Sequence, residues 1–194
     1  NGSFNGGAAG AVILKSESAG ITTGAITTTG GVSDDGNGGA AGAVTIEQEP
    51  TASRDHGAFV APAISALGGT GTGTSGNGAA VIITASNVTV GDVIDAMTVE
   101  IIADNTYESG GVFAKDDTPT GTILGQDGGA DATYQSGDGY IRSSSIKLTG
   151  KRISDGTAAT RLLIDLDDEK DSTNDGASVL TLNIGQVDAD TKVN

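Results

Sequence analysis

The sequence predicts an all-β chain organised as a solenoid, and three observations carry that expectation. The octapeptide Asn5-Gly6-Gly7-Ala8-Ala9-Gly10-Ala11-Val12 returns unchanged as Asn37-Gly38-Gly39-Ala40-Ala41-Gly42-Ala43-Val44. A shortened copy follows as Asn77-Gly78-Ala79-Ala80-Val81, and Asn174-Asp175-Gly176-Ala177-Ser178-Val179 echoes it. Self-similarity at a fixed period marks an array in which each unit buries its apolar face only against the next. Glycine contributes 32 of 194 residues, whereas aromatic residues are 3% and tryptophan is missing. An interior made from Val, Ile, Leu and Ala suits thin stacked sheets better than a globule centred on large rings. Finally, β-branched runs recur between glycine and acidic turns, as strands do.

Taken in order, Ala11-Val12-Ile13-Leu14-Lys15 and Gly20 to Thr28 read as short strands. In the second run Ile21, Gly24 and Ile26 set a spacing that returns as Val88, Gly91, Val93 and as Leu182, Gly185, Val187. A glycine between two short strands permits a corner that a Cβ resists, so three copies predict one repeated cross-section. The loop Gly30 to Gly36 leads to a strand from Ala43 to Glu47. Pro50 and Pro62 cannot donate to a ladder. Thr51 to His56 is therefore expected to bulge out as a loop before Ala58-Phe59-Val60 resumes the wall, and Gly68 to Gly78 reads as a long turn.

Beyond Ala79 the pattern changes to strict alternation. Met97, Val99 and Ile101 form one such series; Ile146 and Leu148, Leu162 to Leu166, and Leu180 to Ile184 form others. Alternation predicts strands with one buried face. The Val, Ile and Thr content of Asp92 to Asp104 favours a strand over a helix. The expected organisation is a Gly/Thr-rich solenoid over residues 1–104. Residues 105–194 then form further irregular rungs or an appended β-sandwich-like part.

Charge narrows the partners. Ten basic against 25 acidic residues give a net charge of −15, which disfavours nucleic acid and anionic membranes because both need clustered Lys and Arg. Without cysteine there is neither a disulfide nor a thiolate metal site. No apolar run reaches the roughly 18 residues of a spanning helix. The chain opens at Asn1 without an initiator Met or a leader and reads as a mature or excised piece.

The Asn-Gly-Gly repeats, followed by Ile21-Thr22-Thr23-Gly24-Ala25-Ile26-Thr27, resemble those of filamentous-haemagglutinin-like and related β-strand-repeat bacterial surface exoproteins. The resemblance is strongest over residues 5–46 and partial over 77–95. It implies a right-handed parallel β-helix, secreted or displayed on a cell surface and used for adhesion or as a fibrous spacer. The shared motif is structural and carries over no binding residue. The alternating second half admits another fold, a jelly-roll-like β-sandwich filament subunit that polymerises by strand exchange.

Chemistry-bearing residues are sparse. The segment Asp165 to Gly176 is the densest acidic cluster, and Asp127-Gly128-Gly129-Ala130-Asp131 is a second. Flexible loops rich in carboxylate oxygen suit calcium, so Asp165, Asp167, Asp168, Asp171, Asp175, Asp127 and Asp131 are the candidate ligands. The bidentate Glu of a full helix–loop–helix site is replaced by Leu182. Solvated acidic turns are the simpler alternative. For catalysis, His56 beside Asp55 and Arg54 reads as surface decoration. Lys151 and Arg152 with Asp165, Asp167 and Asp168 would imitate the calcium and base set of pectate-lyase-like enzymes, but a sugar groove without tryptophan lacks stacking platforms. The threonine tracts Thr22-Thr23 and Thr27 to Thr29 admit an ice-ordering face, or simply strand-loving residues turned to solvent. The functional expectation is a non-enzymatic, extracellular structural or adhesive repeat protein that self-associates, with a carbohydrate or cell-surface receptor as a further partner. A calcium-dependent polysaccharide lyase is the remaining alternative.

Overall fold

The computed structural model describes residues 4–16, 20–48, 59–103, 121–126, 138–153, 162–166, 178–187 and 192–193. Fifteen strands and no helix occur among them. They are β1 (Val12–Ser16), β2 (Ile26–Thr27), β3 (Val44–Gln48), β4 (Phe59–Ala61), β5 (Ile64–Ala66), β6 (Ala80–Ala85), β7 (Val88–Val90) and β8 (Val93–Ala96). The remainder are β9 (Thr98–Ala103), β10 (Thr122–Gly125), β11 (Tyr140–Ser143), β12 (Ser145–Ile153), β13 (Leu163–Leu166), β14 (Val179–Val187) and β15 (Lys192–Val193).

All pairings among these strands are parallel. A nine-stranded sheet runs β1-β3-β6-β9-β12 and then returns through β10-β7-β4, with β14 added beside β12. The reversal happens inside β12, where Ser145 to Thr149 pair with β9 while Arg152 and Ile153 pair with β10. One sheet therefore curls over itself. A six-stranded sheet, β15-β13-β11-β8-β5-β2, lies against the curl.

Register explains the core. Val44, Val81, Val99 and Ile146 stand in one row across the large sheet, and Ile46, Ile83, Ile101 and Leu148 in the next. The returning arm aligns Phe59, Val88, Ile123 and Ile153, and the small sheet aligns Ile26, Ile64, Ile94, Ile141 and Ile164. All of these side chains are buried. At about 2 kcal/mol of transfer free energy each, these columns are the main favourable term, and β-branched stacking keeps the register from slipping.

Both fold expectations need correction. A jelly-roll-like sandwich requires antiparallel pairs, and each pair here is parallel. A right-handed parallel β-helix of one repeated cross-section is not what the chain builds either: it makes a curled parallel sheet and a second parallel sheet with strands of two to nine residues. The physical reason is that the glycine corner is not repeated. Gly91 does turn the chain from β7 into β8, but Gly185 sits inside the unbroken strand β14 and Gly24 lies outside any strand. Likewise β6 and β7 are separated by a bend at Ser86-Asn87, whereas β12 continues as one strand through the matching residues Lys151-Arg152.

The octapeptide also departs from a strand. Its two copies lie side by side, joined by Gly6 N–H to the Asn37 carbonyl (2.8 Å), Ala9 to Ala40 (2.9 Å) and Val12 to Ala43 (2.9 Å). Donors every third residue fit an extended helix with three residues per turn, the polyproline II form, rather than the period-two ladder of β-structure. Across from these copies run Gly30-Gly31 and Gly68-Gly69, and main-chain bonds zigzag between the two sides. Gly76 donates to Gly69, Gly69 to Gly39, Gly39 to Gly31 and Gly31 to Gly7, each at 2.8–2.9 Å. A Cβ on Gly39 would land on the Gly7 carbonyl oxygen, and one on Gly76 on that of Gly39. Only glycine permits so close an approach. Backbone thus replaces side chains along this seam, which is where much of the glycine is used.

Candidate functional site

The main cluster of polar side chains lies on the outer face of the small sheet. In five successive strands an inward isoleucine is followed by an outward polar residue: Ile26-Thr27, Ile64-Ser65, Ile94-Asp95, Ile141-Arg142 and Ile164-Asp165. Because the strands are parallel and in register, Thr27, Ser65, Asp95, Arg142 and Asp165 form one row.

Arg142 is the pivot of that row. Its Nη2 donates to Asp95 Oδ2, and Asp95 is only 5% exposed. On its other flank Asp165 occupies the neighbouring strand and accepts a 2.5 Å hydrogen bond from the Tyr140 hydroxyl. One cation between two carboxylates leaves the row with a single net negative charge. Burial, then the hydrogen bond to Asp165, pushes the Tyr140 hydroxyl above the usual phenol range. Tyr140 therefore acts here as a hydrogen-bond donor and not as a base near neutral pH.

A groove of about 470 Å³ opens at the start of this sheet, at the corner where β4 passes into β5 and β7 into β8. Thr22, Thr23, Val60, Pro62, Asp92 and Gln126 are among its walls. Asp92 is partly engaged, since its Oδ1 accepts the Val93 N–H at 2.7 Å.

Of the seven candidate calcium ligands, Asp165 is described, and its carboxylate holds Tyr140 in a strand next to Arg142. That donor set suits an ion-pair row better than a calcium cage, which needs six to eight oxygens. Asp127, Asp131, Asp167, Asp168, Asp171 and Asp175 lie outside the described residues, as do His56, Arg54 and Asp55. Among the described residues no group of three metal-ligating side chains is brought together. Lys151 and Arg152 fall on β12 of the large sheet and Asp165 on β13 of the small one, so the three residues do not share a strand or a sheet.

Sequence reasoning missed Asp95, Tyr140 and Arg142. The signal was present in the recurring Ile-polar dipeptide, but it becomes visible only once strand pairing joins positions 23 to 47 residues apart. The fold and the row together define an all-β protein of two parallel sheets carrying a cross-strand ionic ladder. Comparison of the chain with known protein families, curated proteins and solved structures finds no match.

Proposed function

We propose that the chain is a non-enzymatic structural and adhesive module of an extracellular surface or fibre. The observation that supports this reading is the main-chain bonding of one octapeptide copy to the next, from Gly6 to Asn37. A protein whose repeat pairs with itself grows by adding layers, and six ladder strands at about 4.8 Å spacing already span roughly 24 Å. Stiffness along that axis serves a spacer. The likeness of residues 5–46 to surface-exoprotein repeats points the same way, as does a charge balance unsuited to nucleic acid.

Adhesion would use the corner groove. Hydroxyls of Thr22 and Thr23, the Gln126 amide and the Asp92 carboxylate, set among Val60 and Pro62, offer the mixture of donors and apolar surface that a neutral carbohydrate accepts. A glycan array tests this reading together with an acidic-polysaccharide depolymerisation assay. Glycan retention weakened by Gln126→Ala, without any chain cleavage, is the expected result. Cleavage of polysaccharide, lost on changing Lys151 or Arg152, would replace the module with a lyase.

A further inference from the structure

We infer that the outer edges of β1 and β14 are complementary, so that copies of this chain stack head to tail in the register of their own ladder. The inference deepens the proposed structural role and rests on it. Among the described residues β1 pairs only with β3 and β14 only with β12. The small sheet has β2 and β15 as its terminal strands, and these follow β1 and β14 directly in the chain, so a translation that continues the large sheet also continues the small one.

Main-chain phase fits such a contact. Val12 N–H donates to Ala43 and Val179 N–H to Ser144, which turns Val12 towards β3 and Val179 towards β12. Alternate residues of a parallel strand address opposite neighbours. Ile13 on β1 and Leu180 and Leu182 on β14 consequently direct their N–H and C=O groups to the outer edges. The row Val12, Val44, Val81, Val99, Ile146, Leu180 fixes the register within one copy. Continued into a second copy, it sets Val12 beside Leu180 and Leu14 beside Leu182. Ile13 N–H then meets the Leu180 carbonyl, and Leu182 N–H meets the Ile13 carbonyl. A slip of one residue would turn the aliphatic row to solvent.

Side chains agree with this register. Leu182 is 42% exposed, although the interior members of its row, Ile46, Ile83, Ile101 and Leu148, are fully buried, and Ile13 and Val179 on the outward face are exposed as well. On the outer face Ile13 would adjoin Thr181 and Lys15 would adjoin Asn183, so no like charges meet. Glycine usage points to the same end. The missing Cβ atoms of Gly39 and Gly42 face the backbone of Gly7 and Gly10, whereas a Cβ on Gly7 or Gly10 meets nothing within 4 Å. The first copy keeps an interior residue at an edge position, where another layer fits.

Proline separates the two faces of an edge strand, because at position 182 or 13 it deletes a donor aimed outward and spares the bonds inward. The net charge of −15 opposes stacking, so analytical ultracentrifugation is run with sodium chloride above about 0.15 M, where the Debye length is about 8 Å. The wild-type chain should form a concentration-dependent series of oligomers. Ile13→Pro and Leu182→Pro should each be monomeric with an unchanged circular dichroism spectrum, and their equal mixture should yield a dimer and nothing larger. Leu182→Lys, which keeps the backbone donor but charges the edge, serves if a proline variant does not fold, and should be monomeric too. A monomeric wild type, single variants that still polymerise, or a mixture that stays monomeric overturns stacking. None of these outcomes touches the structural and adhesive reading, which falls instead to polysaccharide cleavage.

Discussion

Arg142 on β11 and Asp95 on β8 are register partners across adjacent parallel strands, and the guanidinium of one donates to the nearly buried carboxylate of the other. Removing only the cation leaves a buried charge with less compensation, which is costlier than removing both groups. Because Arg142 is about one-third exposed, solvent recovers part of that cost. Arg142→Met is expected to destabilise by about 2 kcal/mol, and the double variant Asp95→Leu with Arg142→Met by less. Urea unfolding of these two variants and of Asp95→Leu alone gives the coupling energy.

Tyr140 supplies a pH dependence. Its hydroxyl binds its proton more tightly in the folded chain than in the unfolded chain, so its contribution is complete below the ordinary phenol value of about 10. It is lost as pH rises from there through the higher folded value, because the unfolded state then binds fewer protons. The melting temperature should fall above about pH 10. Tyr140→Phe should flatten that fall and cost about 1 kcal/mol at neutral pH through the lost bond to Asp165.

Equivalent glycines of the two octapeptides should differ in tolerance. Gly39→Ala drives a Cβ into the Gly7 carbonyl and the Gly31 amide, both of them backbone, with an expected cost of about 3 kcal/mol or more. Gly7→Ala meets nothing and should be neutral, or stabilising by a few tenths of a kcal/mol through the unfolded chain. Thermal melts at low salt decide between them, and equal losses would contradict the glycine seam.

Calcium is testable separately. With Asp165 engaged by Tyr140, Asp127, Asp131, Asp167, Asp168, Asp171 and Asp175 are the remaining candidate ligands. Calcium should raise the melting temperature more than sodium chloride at equal ionic strength, since binding to the folded state stabilises by mass action. Equal effects would reduce calcium to charge screening.

Much of the strand content was legible from residue pattern. Alternation in Met97 to Ile101, Ile146 to Leu148 and Leu180 to Ile184 identifies β9, β12 and β14, because period-two burial is a local property. The repeat also announces that Val12 and Val44 are neighbours. Two features were not legible. Glycine signals freedom to turn and equally freedom to pack, so Gly24, Gly91 and Gly185 looked alike although only Gly91 joins two strands. In the glycine seam, Gly31, Gly69 and Gly76 read as a loop and a turn, and Gly7 and Gly39 as repeat units, because the bonds that join them link segments far apart in sequence. The Asp95–Arg142–Asp165 row had to wait for register, since its members stand 47 and 23 residues apart and only strand pairing brings them together.

The measurement that bears most directly on a repeat paired with itself is oxidation of the double variant Ile13→Cys with Thr45→Cys. The natural chain has no cysteine, and these two positions are register partners on β1 and β3. Adjacent strands about 4.8 Å apart fall within disulfide reach. Rapid, near-complete cross-linking within the monomer, with the circular dichroism spectrum retained, is the predicted result. Thiols that stay reduced in the folded monomer would place the two octapeptides apart and contradict the layered account.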